Sequence, residues 1–557
     1  MTLPVSLSEF YTSFFVGLTL HLAVGTSNIE FERYVVNSIG AVLLAYGGML
    51  TWWSRCDDHD LLIATGRASL AVAGATTGVL ISLTVYRLLM HRCHRFPGPR
   101  LAGLSRFYLA YLNANLKDSQ YYQKLEDLHR KYGTFVRIGP REISILDKDA
   151  IPLIYGSKSK CRKASWYSAT GFDPDHVNIG AIRDPVKYKQ RRRAWDRGLS
   201  TRMLPVFEPR VKDKADMLIK QLRDHAGQAV DSTAWSMLFS FDTMGEVSFS
   251  QDFGNLATGE EHPGIQVMHS LLWLLGVMSP LPWLLYLFAL LPGAAKTLIK
   301  FDSICVDVLA EKEKNWNNEQ EPSDVVSWFL KAINDKDVSA SPTRKSLLED
   351  TRGVVIAGSD TTASTLANVL FCLAKHIDVQ RKLRNMLNET MPQGYSDWQY
   401  ASIKDISYID DIINETLRLK PPIIQGTPRE TPAEGLQIGD VWIPGHVNVL
   451  VPTISIQRDP RWWKEPNHFV PERWHERKNE MGTEDAPWMP FQRGLHHCAG
   501  KEVAYLTLRT AISAIVQNFD VTFAPEESEE SIKAFDERFL SSMLMTLRPL
   551  HLVFTER

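Results

Sequence analysis

Near the C-terminus, Phe491-Gln492-Arg493-Gly494-Leu495-His496-His497-Cys498-Ala499-Gly500 puts one cysteine in a glycine-punctuated loop. A helical pattern follows directly: Ala499, Val503, Leu506, Ala511, Ile515. A cysteine at a helix N-terminus meets free N–H groups and the positive end of the dipole, which favour thiolate over thiol. Gly494 permits a tight turn, and Gly500 lets something flat and bulky approach the helix. Arg493, His496 and His497 add donors or cations, so the loop fits a thiolate bound to haem iron with propionates paired nearby. On these residues alone two other readings stay open. A lone cysteine is usually a small buried hydrophobe. His-His-Cys also suggests zinc, although three adjacent ligands do not easily surround one tetrahedral ion.

Three further patterns carry chemistry. Ala357-Gly358-Ser359-Asp360-Thr361-Thr362 lies inside a long apolar-periodic stretch, and Gly353, Gly358 and paired threonines each weaken a helix. There a Thr hydroxyl can leave the helical ladder for a ligand or water, and Asp360 can relay protons. A packing notch with a satisfied threonine explains the segment equally well. Glu415-Thr416-Leu417-Arg418 puts Glu and Arg on one helix face, where most such pairs are solvated. It gains meaning with Pro471-Glu472-Arg473-Trp474, whose Arg473 could complete a buried Glu–Arg–Arg network. Tyr188-Lys189-Gln190-Arg191-Arg192-Arg193-Ala194-Trp195 reads first as a solvated basic face, with Tyr188 and Arg192 on one side if helical.

The elements that position these residues read as follows. From Leu101 to about Asn518 helical patterns dominate, as over Tyr121–Tyr132, Val211–His225, Leu347–His376, Gln380–Met391 and Tyr408–Leu419. Strand-like alternation is confined to Thr134–Ile138, Glu142–Ile145, Gly435–Ile443 and Leu544–Phe554. The fold class expected is mainly α with small β-sheets, and no internal repeat is visible. Glu311–Asp335 reads as a surface helix with a loop. Ser270–Ala295 is apolar but broken by Pro280, Pro282 and Pro292. It reads as a loop between two helices that touches the membrane surface, or as plain core helix.

The N-terminus has its own composition. Phe10–Ile29, Tyr34–Ser54 and Ala68–Tyr86 carry no charge, and each approaches the ~20 residues a spanning helix needs. Arg87, His91, Arg92, His94 and Arg95 then suit a cytosolic flank, and Asp57, Asp58 and Asp60 the opposite side. Three spans would put the N-terminus in the lumen, although an interfacial placement of the first stretch, with its His21, stays open. Phe96-Pro97-Gly98-Pro99 makes a stiff break. The expected division is residues 1–90 as membrane anchor and 91–557 as catalytic domain.

Composition excludes several classes. Lys and Arg number 62 against 64 Asp and Glu, a net charge of −2, so no basic field for nucleic acid exists. Apolar content of 44% rules out wholesale disorder. Six scattered cysteines with no C-x-x-C pair disfavour a disulfide scaffold.

The four motifs in this order, from about Phe96 to the C-terminus, resemble the cytochrome P-450 family of haem-thiolate monooxygenases. The resemblance implies a cytochrome P-450 fold behind N-terminal transmembrane helices, with haem b ligated by Cys498 as axial thiolate. Phe491, Gly494 and His496 of that loop, Tyr188, Arg192 and the Arg429 of Thr427-Pro428-Arg429 are the implied cofactor contacts. Asp360 and Thr361 look like the acid–alcohol pair that delivers protons to dioxygen, and Glu415, Arg418 and Arg473 like the structural triad. Departures are His496 where Arg is usual, implying weaker or pH-sensitive propionate pairing, Tyr188 where Trp is usual, and Gln492 where a smaller residue is usual.

Arg191-Arg192-Arg193-Ala194-Trp195-Asp196-Arg197-Gly198 and Cys161–Tyr167 look most like the fungal branch, among secondary-metabolite oxygenases of the tryprostatin B 6-hydroxylase kind. The implied setting is the endoplasmic reticulum membrane with the catalytic domain in the cytosol. NADPH would act indirectly through a cytochrome P-450 reductase, with cytochrome b5 as a further partner. Lys189, Arg191, Arg193 and Lys501 are the expected docking cations. Substrate contacts are expected from Ser168–Ile182, Leu271–Leu285, Val354–Thr361, Ile423–Thr427 and Leu540–Leu544, for a lipophilic small molecule. The alternatives are a haem-thiolate isomerase or dehydratase that uses no dioxygen, and a noncatalytic membrane ligand-binding or transport protein. Sequons at Asn388 and Asn414 should be unmodified in a cytosolic domain.

Overall fold

A computed structural model describes residues 7–25, 34–55, 60–114, 121–169, 176–278, 280–541 and 544–557. The polar connector 30–33 and the acidic pair Asp57–Asp58 lie outside the described residues, as do 170–175 and 542–543 of the expected substrate segments.

At the N-terminus, Ser8–Leu20 continues as a wider turn, His21–Gly25. Val35–Arg55 follows, and then Leu61–Val85 runs on through Tyr86–Met90. Val35–Arg55 and Leu61–Met90 are long and apolar enough to cross a membrane. The third helix therefore begins earlier than the charge pattern implied. It takes in Arg67, whose Nε donates to Glu9 Oε1 of the first helix at 2.7 Å. The first and third helices run parallel. A methyl added at Gly74 or Gly78 would meet the carbonyl oxygens of Phe10 and Phe14 at 2.2 and 2.1 Å. Such close backbone approach is how apolar helices associate in lipid, where hydrophobic burial offers no drive. The His21 ring bonds the Ser82 hydroxyl at 2.8 Å further along the same seam.

The anchor is tied to the rest of the chain by arginines. Buried Arg137 donates to the carbonyls of Arg87, Gly103, Gly139 and Pro140. Arg92 donates to the Gly445 carbonyl at 2.7 Å and Arg95 to that of Trp442. The basic cluster read as a membrane flank is thus also the joint.

Beyond it the chain is mainly α. Arg344–Lys375, 32 residues long, would by composition also span a membrane, but it is largely enclosed by protein. It packs against Ser232–Phe249, Ser407–Leu419 and Lys501–Asn518. A five-stranded sheet orders Phe135–Arg137, Glu142–Ile145, Asn448–Leu450, Arg429–Glu430 and Arg162–Lys163. A three-stranded sheet joins Ala229–Asp231, His551–Glu556 and Phe519–Phe523. Hairpins Leu436–Ile438/Val441–Ile443 and Leu540–Ser541/Met545–Thr546 complete the strands among the described residues.

Two segments refine their reading. Ser270–Ala295 takes the helical alternative over most of its length, with turns at 289–295. Helix Pro263–Met278 is followed by Pro282–Phe288, with Pro282 at the first helical position, where its missing N–H costs nothing. Glu311–Asp335 holds the end of Lys296–Asn315 and then Val325–Asn334, which buries Val325, Val326, Phe329 and Leu330.

A buried charge network binds the helix Ser407–Leu419 to the irregular segment that follows. Glu415, Arg418 and Arg473 are 0% exposed. Glu415 accepts from Arg418 Nε and Nη2 at 2.9 and 2.8 Å and from Arg473 Nε at 2.9 Å. The Val470 N–H and Trp474 Nε1 complete its shell. The guanidinia spend their other N–H groups on the carbonyls of Gln457, Pro466, His468, Lys464 and Glu465. Arg418 places all five of its N–H donors and Arg473 three, which offsets much of the desolvation. Replacing Arg473 with Leu leaves Glu415 short of a countercharge. We expect a loss of about 3–5 kcal/mol, read in urea unfolding followed by tryptophan fluorescence.

Candidate functional site

The Cys498 loop is built from short backbone bonds. The Cys498 N–H donates to the Phe491 carbonyl at 2.8 Å, and that of His497 to Gly494 at 3.2 Å. Gly494 has φ +62° and its Cα lies against the Tyr155 carbonyl, which an added methyl would meet at 2.3 Å. Only glycine fits both conditions. Gln492 has φ +57°, a region glycine enters more easily, and its buried Oε1 has no partner. Gly500 caps the helix Lys501–Asn518, and a methyl there would touch nothing within 4 Å.

Cys498 is exposed. Protein packed around it raises its thiol pKa, an effect that the Gly500 N–H, Arg192 and Lys501 only partly offset. An aromatic series leads to the loop from the buried network: Trp463, Trp474, Trp488, Phe491 and Tyr505, with successive ring centroids 5.9, 5.4, 6.3 and 5.5 Å apart. Phe491 thus wedges the loop rather than offering polar contact.

The helix Pro185–Gly198 is started by Asp184, whose side chain caps the Val186 and Lys187 N–H groups, and by Pro185. It brings Arg192 to the loop. Arg192 Nη1 donates to the Tyr188 hydroxyl at 2.9 Å and to the His497 carbonyl at 2.8 Å, and Nε to Asp196 at 2.6 Å. The Tyr188 ring meets the His496 ring edge-on at 4.3 Å, and Lys163 Nζ lies 4.4 Å from the Tyr188 centroid. Arg429 is buried, stacked over Tyr155 and Tyr167. Among the described residues neither Lys163 nor Arg429 has a carboxylate partner.

Lys163, Arg192 and Arg429 therefore concentrate positive charge around His496. Burial and these three cations push the His496 pKa down to about 2. The imidazolium is thus disfavoured, and among the described residues the buried Nδ1 has no partner. Lys163 is pushed down too, first by burial and then by Arg429 and Arg192.

An excess of buried cations, an orphaned imidazole nitrogen and an exposed thiol at a helix start fit an acidic, metal-bearing macrocycle such as haem. Cys498 would hold the iron, and Arg192, Arg429, Lys163, Tyr188 and His496 the carboxylates. Sequence reasoning missed Lys163, because a lysine in a two-residue strand has no motif. His-His-Cys does not form a zinc site, and no metal-binding cluster of His, Cys, Asp and Glu occurs among the described residues.

Asp360 and Thr361 sit in the centre of Arg344–Lys375. There Ala357 and Gly358 are exposed, while nearly all of 359–374 is buried. The Thr361 hydroxyl donates to the Ala357 carbonyl at 2.8 Å, and the Ser240 hydroxyl takes the Ser359 carbonyl at 2.6 Å. Asp360 Oδ1 lies 3.1 Å from His269 Nε2. Among the described residues no hydrogen bond joins this pair to the Cys498 loop.

Arg191 is not a surface docking cation. It is buried, and donates to Asp350 at 2.8 Å and to the carbonyls of Val177 and Ser346. Lys189 and Arg193 are exposed.

A family model described as Cytochrome P450 matches residues 102–551. The chain is 36% identical over 480 residues to the cytochrome P450 monooxygenase orf5 of Eupenicillium brefeldianum, covering 86% of this chain and 94% of that one. It is 30% identical over 556 residues to the cytochrome P450 monooxygenase FCK2 of Fusarium pseudograminearum, 98% of each chain. It is also 30% identical over 562 residues to tryprostatin B 6-hydroxylase of Aspergillus fumigatus, covering 98% of this chain and 96% of that one.

Two glycines separate packing from cofactor binding. Gly494→Ala should cost about 2 kcal/mol or more through strain and collision, seen in thermal unfolding. Gly500→Leu should change stability by less than ~1 kcal/mol yet lower haem content, measured by pyridine haemochrome per chain.

Proposed function

The chain belongs to the cytochrome P450 family, and from that premise we propose that it is a membrane-anchored haem-thiolate monooxygenase of fungal secondary metabolism. The observation that carries the reading is Cys498, exposed at a helix start beside a cluster of buried cations. Bound haem would supply dioxygen activation, with the thiolate favouring O–O cleavage.

The chain's own groups do the rest. Arg192 holds the Cys498 loop through the His497 carbonyl and keeps one face toward the cofactor's carboxylates. Ala357 and Gly358 expose one side of the central helix, where a substrate would lie, and Gly358 also lets Met244 pack close, since an added methyl would meet its Cγ at 2.8 Å. Asp360 and Thr361 hold protons where dioxygen is reduced, the role that separates this reading from an isomerase or dehydratase.

Substrate reaches the site from the lipid side in this reading. Val35–Arg55 packs against Pro282–Phe288, and Trp273, Leu290 and Leu291 are exposed nearby in the chain. A lipophilic alkaloid, terpenoid or polyketide fits such a route. An indole alkaloid of the tryprostatin type is the first to try, given the relative of that name. The anchor comprises residues 1–90 and the catalytic unit 91–557, in the endoplasmic reticulum membrane and facing the cytosol. NADPH-cytochrome P450 reductase, with cytochrome b5 as a second donor, would dock on exposed Lys189 and Arg193 and half-buried Lys501.

Reduced, carbon-monoxide-treated membranes should show a red-shifted thiolate Soret band that Cys498→Ala abolishes. Its absence from haem-replete wild type overturns the reading. Thr361→Ala should keep NADPH oxidation and divert it to peroxide. Unchanged coupling removes Thr361 from the mechanism. Topology is read at Asn388, which is exposed, and not at Asn414, whose side chain is held by Tyr505 at 2.5 Å. Asn388 should stay unglycosylated in a eukaryotic host, and a glycan there overturns the cytosolic orientation.

A further inference from the structure

His269 lies beside the acid of the central helix, and no sequence motif marks it. It sits on Pro263–Met278, and its Nε2 is 3.1 Å from Asp360 Oδ1. Resting on the monooxygenase reading, we propose that His269 is a relay residue that passes protons from solvent to Asp360.

The placement supports transfer in one direction. The Asp360 side chain is 10% exposed and that of His269 37%. On its helix His269 lies between a buried row, Ile265, Met268 and Leu272, and an exposed one, Gln266, Ser270 and Trp273. One edge of the ring thus reaches the acid while more than a third of the side chain stays exposed. The register is held next door, where the Ser359 hydroxyl lies 3.7 Å from the Met268 sulfur.

The electrostatic surroundings are simple. The helix Pro263–Met278 carries no Asp, Glu, Lys or Arg. On the helix Lys296–Asn315 packed against it, Asp302 is bonded to Arg352 at 2.7 Å, and Arg352 is also paired with Glu349. Among the described residues Asp360 is the only charged group hydrogen-bonded to the imidazole.

Imidazole is the side chain that donates and accepts near neutral pH. The imidazolium gives its Nε2 proton to Asp360 Oδ1, and the neutral ring takes another from water. No other bond changes. Electrons come from NADPH through the reductase, and each dioxygen reduced draws protons through the pair.

The test uses the full chain in lipid nanodiscs with reductase and NADPH, and no organic substrate. Dioxygen consumption and peroxide yield are measured in H2O and D2O, per haem counted by the carbon monoxide band. His269→Gln should slow dioxygen consumption roughly tenfold and enlarge the solvent isotope effect. That is less than the ~100-fold of a group acting directly, because water still reaches Asp360. His269→Lys keeps a donor and should restore most of the rate. A Gln variant with wild-type rate and isotope effect overturns the relay and leaves a packing contact. Histidine hydrogen–deuterium exchange gives a readout without turnover: the His269 C2–H exchange rate should change in Asp360→Asn, and an unchanged rate shows that no pair exists. Wild type with the thiolate band but no dioxygen consumption overturns the monooxygenase reading itself.

Discussion

The Glu415 carboxylate, fully buried between two guanidinia, is the interaction on which the rest of the catalytic half depends. A buried carboxylate is costly unless each lone pair is met. Meeting them here requires Arg418 one helical turn away, Arg473 58 residues on, the Val470 amide and the Trp474 indole. The arginines in turn draw in the carbonyls of an irregular segment with little ladder of its own. That segment leads through tilted and edge-on aromatic contacts to the Cys498 loop, so the charge network bears on where the thiol sits.

The cofactor side obeys the opposite rule. Around His496, Lys163 and Arg429 lie buried without carboxylate partners, and Gln492 takes a backbone conformation that suits glycine. Such features lower stability and persist where a ligand completes the arrangement. Full satisfaction at Glu415 and incomplete satisfaction at His496 distinguish a structural charge cluster from a binding one. Sequence alone presents both as scattered Arg, Lys and Glu.

The membrane half shows a further division of labour. Val35–Arg55 buries no residue, whereas Leu61–Val85 buries Ala64, Ala68, Ala71, Gly74, Gly78 and Ser82 against the first helix. Small residues make the seam and large apolar ones face outward, the arrangement that suits lipid. The first helix, Ser8–Leu20, runs parallel to the third along this seam and is shorter than the two N-terminal helices long and apolar enough to cross a membrane. Arg137 then carries the orientation of the third helix into the catalytic half through backbone carbonyls, which a Lys could not reach together.

What the sequence determined by itself follows from local chemistry. A run of apolar residues specifies a long apolar helix, and a cysteine between glycines ahead of a helix marks a candidate ligand position. Tyr121–Tyr132 and Glu142–Ile145 were legible to the residue because periodicity and turn residues act over a few positions. Only the tertiary structure decided which charges are solvated. Arg191 and Arg193 are neighbours in one basic run, yet the first is buried on Asp350 and the second is exposed. His496 is disfavoured as a cation first by burial and then by Lys163, more than 300 residues earlier in the chain. His269, an isolated histidine in an apolar helix, gained its acid partner only when two helices packed. Burial and charge pairing are set by residues distant in the chain, and no local pattern encodes them.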